Sequence, residues 1–108
     1  MVIIETSVFT RQIQALMDDE NYAEFQSELA GRPEMGDCIS GGGGIRKVRI
    51  AAKGHGKRGG ARIIYYWAVA DEQIFMLLAY AKNRQENLSK DQLKMLRILV
   101  QKEFGDGR

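Results

Sequence analysis

The segment that decides the fold is Ile45-Arg46-Lys47-Val48-Arg49-Ile50-Ala51. Side chains alternate between the two sides of a strand, so Arg46, Val48 and Ile50 would share one side. Lys47 and Arg49 would share the other side. The segment is therefore predicted to be a strand with a cationic face.

Two later segments predict further strands of the same sheet. Residues 62–67 and 73–80 are rich in β-branched and aromatic side chains, and the pair Asp71-Glu72 marks a turn between them. Four consecutive glycines, Gly41–Gly44, predict a loop before the first of the three strands, and residues 53–60 form the loop after it. The three strands are expected to form an antiparallel meander.

Apolar residues at helical spacing predict two amphipathic helices in the first third of the chain. They follow a short first strand at Val2–Ile4. Gly31 and Pro33 are expected to end the second helix. The candidate N-caps of the two helices are Thr6 or Ser7, and Asp18 or Asp19.

A third helix is predicted at the end of the chain, where Ser89 and Gln92 have the spacing of a capping box. Its apolar face consists of Leu93, Leu96, Val100 and Phe104. The predicted element order is β-α-α-β-β-β-α, which is an α+β fold in a single domain spanning residues 1–108. The helices are expected to cover one face of a small antiparallel sheet and to leave the other face free.

Positive charge is concentrated in the middle of the chain. The segment from Cys38 to Ala70 holds seven basic residues and no acidic one, whereas the rest of the chain holds nine basic and fourteen acidic residues. The net charge of +2 thus combines a segment of +7 with a remainder of −5. A segment with such a charge attracts polyanions such as nucleic acids.

Composition and spacing argue against several classes of protein. The single cysteine, Cys38, rules out an internal disulfide. No apolar run is long enough to span a bilayer and no export signal is recognised, so the expected compartment is the cytoplasm. Gly54–Gly59 fits the pattern G-x-G-x-x-G but opens no predicted helix, so a dinucleotide site is not expected. Clustered metal ligands are missing as well, and no metal or cofactor is expected.

The loop at residues 53–60 carries most of the candidate RNA contacts. His55 is the only histidine, which excludes cleavage by a pair of histidines and favours a phosphate contact over a role in proton transfer. Neighbouring glycines let the loop approach an RNA strand closely. The predicted RNA-binding residues are Arg46, Lys53, His55, Lys57 and Arg58.

Three segments carry a resemblance to a known family: residues 43–49, 53–66 and 77–83. The most specific is the block from Gly56 to Tyr66, and the likeness extends to residues 20–26 and to the helix entry at Asn87–Ser89. These residues resemble the HigB branch of the RelE-type toxins of bacterial toxin–antitoxin systems. The resemblance covers nearly the whole chain.

The resemblance implies the RelE-like fold, cleavage of mRNA in the ribosomal A site, and neutralisation by a helix-turn-helix antitoxin similar to HigA. It matches Lys47 and Arg49 to two family lysines, and Arg62 to a family arginine. A further family arginine and a family tyrosine match Asn83 and Ser89, which differ from them in type. The candidate substitutes, at the end of the last strand, are Tyr80 and Lys82.

Side chains alone suffice for this chemistry, since the 2′-OH of RNA attacks the adjacent phosphorus. The protein must assist its deprotonation, stabilise charge on the phosphorane and protonate the leaving 5′-oxygen. The expected activity is a metal-independent endoribonuclease (mRNA interferase) with Arg62 and Arg49 on the phosphate. Lys47 or Lys82 is the candidate for proton transfer. Tyr80 is a candidate catalytic residue, a platform on which a base stacks, or a core aromatic at the strand end.

Strand alternation also predicts where these residues lie. Lys47, Arg49, Arg62 and Lys82 are expected to converge on one exposed face of the sheet, opposite the face covered by the C-terminal helix. Their clustered charge is expected to lower the pKa of a lysine or tyrosine among them.

Two other functions remain open at this stage. A gyrase-inhibiting toxin of the related ParE type, or a nucleic-acid-binding module on the same fold, would share the architecture without cutting RNA. A structural RNA-binding protein of the ribosome fits the charge but lacks the family pattern. The dense Lys and Arg set on neighbouring strands favours the nuclease.

Overall fold

The computed structural model describes residues 1–52, 56–85 and 87–105, with the main chain alone for residues 52 and 56–59. Two short 3-10 turns, Pro33–Met35 and Val69–Asp71, lie between longer elements. Those elements are β1 (Val2–Glu5), α1 (Ser7–Leu16), α2 (Asp19–Gly31), β2 (Asp37–Cys38), β3 (Ile45–Ala52), β4 (Gly56–Ala68), β5 (Gln73–Ala81) and α3 (Lys90–Phe104).

The strands form one mixed sheet in the order β1-β5-β4-β3-β2. β3, β4 and β5 pair antiparallel, which confirms the predicted meander and the α+β class. β1 pairs with β5 in parallel, and β2 adds to the outer edge of β3. Neither pairing was predicted, because a two-residue strand shows no periodicity and the partner of β1 lies far along the chain.

The helix starts confirm the predicted caps. The side chains of Thr6 and Asp18 accept hydrogen bonds from main-chain N–H groups in the first turns of α1 and α2. Ser89 and Gln92 form both hydrogen bonds of the capping box that opens α3. α2 ends at Gly31, as expected. In the described part of the chain, no helix has the length and apolar character needed to cross a bilayer.

Helices cover both faces of the sheet, so the prediction of one free face is wrong. α1 and α2 pack on the first face, where Phe9 and Phe25 lie in one core cluster with Ile63 and Tyr65. α3 packs on the second face. The second cluster includes Ile64, Tyr66, Phe75, Val100 and Phe104.

The reason lies in β4, where Ile63-Ile64-Tyr65-Tyr66 are all buried. Successive strand residues point to opposite faces, so four buried residues in a row require cover on both sides of the sheet. The apolar stripe of α3 supplies the second cover. The ring of Phe104 lies 5.5 Å from that of Tyr66 and 5.7 Å from that of Phe75, measured between centroids.

Candidate nucleic-acid interface

The regular pairing of β3 with β4 places two arginines side by side. Arg49 and Arg62 are register partners. The carbonyl of Ile45 accepts a hydrogen bond from the N–H of Ile39, 2.9 Å away, on the side of β3 that faces β2. Main-chain groups alternate in direction along a strand. Arg49 is four residues after Ile45, so its N–H and C=O point to the same side as those of Ile45, away from β4. Arg49 and Arg62 therefore form a non-hydrogen-bonded pair, in which side chains approach most closely.

β5 adds a tyrosine beside Arg62. Tyr80 is the register partner of Arg62 on this strand. We call Arg49, Arg62 and Tyr80 the central row, because they are neighbours across three adjacent strands. Lys82 lies two residues further along the chain, directly after β5, where its N–H donates to the carbonyl of Gly60 at 2.9 Å.

Lys47 and Lys82 flank the central row at its two ends, on β3 and just after β5, and they differ in their surroundings. Lys47 is paired with Ile64 on β4 and with Asp37 on β2. Asp37 therefore puts an acidic residue opposite Lys47 on the neighbouring strand. The neighbour of Lys82 across the sheet is Gly60, which brings no charge.

Arg62 is the most unusual residue of the central row, because it is a cation with only 9% of its surface exposed. Its Nη1 atom is buried and makes no hydrogen bond within the described residues. Leaving a buried donor without a partner costs about 1–3 kcal/mol, and more for a charged group. A phosphate oxygen would supply the missing acceptor, since a guanidinium and a phosphate match in charge and geometry.

Tyr80 is suited to donating a proton or a hydrogen bond. Burial raises the pKa of its hydroxyl above the usual value of 10.0, and the positive charge of Arg62 offsets only part of that effect. The expectation that clustered cations lower the pKa is therefore wrong for Tyr80, because loss of solvent outweighs charge. Tyr80 keeps its proton at neutral pH.

The central row lies on the face that α3 covers, so the prediction that placed the cations on the opposite face is wrong. Arg62 and Ile64 are two residues apart on β4 and share a side, and both Ile64 and Tyr80 belong to the cluster beneath α3. α3 packs on the apolar part of this face. The central row begins where the apolar residues of β3 and β4 give way to Arg49 and Arg62.

Arg46 is separated from the central row, because it lies on the side of β3 that faces α1 and α2. Its Nη1 donates to the carbonyl of Gly36 at 2.7 Å and to that of Glu34 at 3.2 Å. The guanidinium thus anchors the turn before β2. Strand alternation predicts this side for Arg46, but the contact with the turn is not visible in the sequence.

The predicted contacts of the loop are not placed relative to the central row. Lys53 and His55 lie outside the described residues, and so do the side chains of Lys57 and Arg58. The loop predicted at residues 53–60 is wrong for residues 56–60, because β4 begins at Gly56. The main chain of Lys57 and Arg58 therefore lies in the same strand as Arg62.

Two positions after β5 gain a clear interpretation from the structure. Ser89, which the resemblance aligned with a family tyrosine, is the N-cap of α3. Arg84 is an exposed cation that the sequence analysis missed, in the turn directly after β5. With Tyr80 it lines a groove of about 510 Å³ between α1 and the end of β5. The sequence does contain a signal for Arg84: it lies one residue after Asn83, the position that the resemblance matches to a family arginine.

Within residues 1–52, 56–85 and 87–105, His, Cys, Asp and Glu side chains do not gather in a group of three that could hold a metal ion. A family model described as the RelE toxin of the RelE/RelB toxin–antitoxin system matches residues 3–105. The match extends from β1 to the residue that follows α3, and it includes every member of the central row.

Proposed function

The chain belongs to the RelE toxin family, and we propose that it is a ribosome-dependent endonuclease that cleaves translated mRNA in the ribosomal A site. The observation that supports the proposal best is the buried Arg62, whose register partners are Arg49 and Tyr80 and whose Nη1 has no hydrogen-bond partner among the described residues. An anion is the natural partner of such a group. The proposed place of action is the cytoplasm, where the ribosomes are.

The proposed reaction is an internal transfer at phosphorus. The 2′-oxygen of one nucleotide forms a bond to the adjacent phosphorus, and the bond from phosphorus to the 5′-oxygen of the next nucleotide breaks. The products carry a 2′,3′-cyclic phosphate and a 5′-hydroxyl. Arg62 and Arg49 stabilise the charge that develops on the phosphorane oxygens, and charge stabilisation of this kind is often the largest catalytic contribution.

Two protons have to move in this reaction. Tyr80, which keeps its proton at neutral pH, donates to the leaving 5′-oxygen. Lys47 or Lys82 takes part in removing the proton of the 2′-hydroxyl. Lys82 is the better placed of the two, because the register partner of Lys47 on β2 is Asp37.

The ribosome supplies the orientation that this site lacks. In-line attack requires the 2′-oxygen, the phosphorus and the leaving oxygen to be aligned, and alignment alone contributes a large share of the rate in such reactions. The central row offers charge and a proton donor on a sheet surface. We therefore infer that free RNA is cut slowly and that mRNA held in the A site is the substrate.

The family pairs each toxin with an antitoxin. We propose that the antitoxin of this chain is a helix-turn-helix protein of the HigA type, encoded beside it. A small helix-turn-helix reading frame next to the gene would support this assignment.

The decisive experiment compares purified protein acting on naked mRNA and on the same mRNA in a ribosomal initiation or elongation complex. The 5′ ends of the fragments are mapped by primer extension. Cuts at the A-site codon that appear only with ribosomes support the proposal. Rapid cutting of naked RNA contradicts ribosome dependence, while growth arrest with inhibited gyrase and intact mRNA identifies a toxin of the ParE type instead.

A further inference from the structure

One flank of α3 carries a row of basic side chains. Lys90, Lys94 and Arg97 follow one another at helical spacing, so they lie on the same side of the helix, beside the apolar stripe that packs on the sheet. All three are exposed. In the part of the chain that the structure describes, none of them pairs with a carboxylate. This α3 flank therefore adds three cations to the basic surface, outside the central row.

A small cavity lies beside the α3 flank, where the helix passes the glycine-rich loop before β3. Its volume is about 140 Å³, and it is lined by Arg97 and Gln101 from the helix and by Gly42 and Gly43 from the loop. A Cβ atom on Gly43 would lie 3.4 Å from Nε of Arg97. The N–H of Gly43 makes no hydrogen bond within the described residues. A guanidinium, a side-chain amide and a main-chain N–H thus border a space that is large enough for one phosphate group.

The α3 flank and β3 form the two sides of a basic channel. Arg97 lies against the loop that leads into β3, so the flank to which it belongs is on the β3 side of α3. Ile45 is part of the cluster beneath α3, and Lys47 and Arg49 share its side of β3. The channel therefore leads from the central row, past Lys47, to the cavity.

The channel is long enough for several linked phosphates. Arg62, at the central row, and Tyr66, which lines the cavity, are four residues apart on β4. A strand rises about 3.3 Å per residue, so the two positions are about 13 Å apart. Along α3, Lys90 and Arg97 are about 10 Å apart, at a rise of about 1.5 Å per residue. One RNA strand covers such a length with a few nucleotides.

We propose that the cavity binds a phosphate group of the mRNA, a few nucleotides away from the bond that is cleaved at the central row. An RNA strand fits the channel because it carries a charge at every nucleotide, and the cations of the α3 flank recur at every turn of the helix. Arg97 is thus a positioning residue, which holds the strand while Arg62 binds the reacting phosphate. This inference rests on the proposed function and adds a second contact to its substrate.

A non-cleavable RNA tests the site without ribosomes. The probe is an octauridylate with 2′-O-methyl groups, which block the attacking oxygen. The control has the same sequence and uncharged methylphosphonate linkages. Each RNA is added to the full-length protein at low salt, and the amide proton of Gly43 is followed by NMR.

We expect the charged RNA to move the Gly43 amide proton downfield and the uncharged RNA to leave it in place. Equal shifts with both RNAs, or no shift with either, would overturn the proposal. A shift with inorganic phosphate but not with the charged RNA would overturn it in favour of an isolated anion site.

Arg97→Ala checks the contact by affinity. It should weaken binding of the charged octauridylate about threefold and reduce the slope of log affinity against log salt by about 0.7, as expected for one phosphate contact on a single strand. The matched control is Arg11→Ala, which removes an exposed arginine from α1 on the other face of the sheet and should bind as the unmodified protein does. Equal losses in both proteins would mean that only net charge matters, which contradicts the site.

The length of the RNA tests whether one strand reaches both ends of the channel. At equal nucleotide concentration, the octauridylate should bind about tenfold more tightly than a diuridylate with the same modification, because one chain engages two sites. Equal affinities would contradict a continuous strand. Cleavage is not measured in these experiments, so the phosphate site and the nuclease proposal fail independently.

Discussion

A single buried arginine gives the central row its chemical character. Arg62 is held between Arg49 and Tyr80 by strand pairing, and burial removes the solvent that would otherwise satisfy its Nη1 atom. Such a residue is costly for the folded state and useful for binding an anion. Function and stability should therefore respond to its substitution in opposite directions.

Arg62→Met tests this opposition. We expect single-turnover cleavage of ribosome-bound mRNA to fall about 100-fold to 1,000-fold, because a contact to the developing charge is lost. Ribosome association should change little. The free energy of unfolding should rise by about 1 kcal/mol, since an apolar side chain replaces a buried cation whose Nη1 has no partner in the described part of the chain.

Arg49→Met is the matched control, because Arg49 is exposed and its substitution should leave stability unchanged. Urea unfolding and a single-turnover assay measure the two effects. Cleavage at normal speed by bound Arg62→Met would move the role in phosphate stabilisation to Arg49 or Lys82. A large loss of stability would show that Arg62 serves the fold instead.

Tyr80 allows a prediction about pH. Its pKa is raised, so the hydroxyl stays protonated below pH 10.0 and its proton is lost only as the pH rises through a still higher value. Tyr80→Phe should lower the single-turnover rate about 100-fold through loss of the proton donor. Between pH 6 and pH 9 the rate profiles of the two proteins should run parallel. Profiles that diverge in this range would mean that Tyr80 titrates there.

At the scale of elements, a polar anchor fixes the turn that leads into β2. The hydroxyl of Tyr65, buried in the sheet, donates to the carbonyl of Pro33 at 2.6 Å and accepts from the N–H of Gly36 at 2.9 Å. Arg46 donates to the carbonyl of Gly36. These bonds fix the turn Pro33–Met35 against the sheet, and β2 begins directly after it, at Asp37.

Gly36→Ala should disrupt this anchor. A Cβ atom at Gly36 would lie 2.8 Å from the carbonyl oxygen of Lys47 and 2.9 Å from the ring of Tyr65. We expect the free energy of unfolding to fall by about 2 kcal/mol, because a buried contact has no room to relax. Thermal unfolding followed by circular dichroism measures the change.

Gly31→Ala is the control, since a Cβ there meets nothing within 4 Å at the end of α2. It should raise stability by about 0.5 kcal/mol through helix propensity. If both substitutions have the same effect, the anchor at Gly36 contributes nothing specific.

At the scale of the whole molecule, charge is separated across the sheet. The central row lies on the α3 side, whereas α2, with its cap at Asp18, carries five acidic residues and no basic one on the other side. The separation orients the protein towards a polyanion before any close contact forms.

The salt dependence of ribosome binding tests the role of Lys57 and Arg58 in this separation. Lys57→Ala and Arg58→Ala should each weaken binding modestly and reduce the slope of log affinity against log salt by about one unit or less. Cleavage at saturation should persist. Lys102→Ala, at the far end of α3, should leave the slope unchanged, and an equal reduction there would mean that only net charge matters.

Local rules determined much of this protein from its sequence. The alternation in residues 45–51 predicted the strand and put Lys47 and Arg49 on one side. The helix starts were predicted to within one residue at Thr6 or Ser7 and at Asp18 or Asp19, and at the capping box that Ser89 opens. These features depend on residues a few positions apart, whose spacing is visible in the chain. The family resemblance could likewise be recognised from the motifs alone.

Only the tertiary structure decided which face α3 covers, how deeply Arg62 is buried and in which direction the pKa of Tyr80 moves. It also directed Arg46 to the turn before β2. Each of these outcomes depends on groups far apart in the chain that come together and exclude water. Desolvation belongs to the assembled surroundings of a side chain, so neither spacing nor composition reveals it.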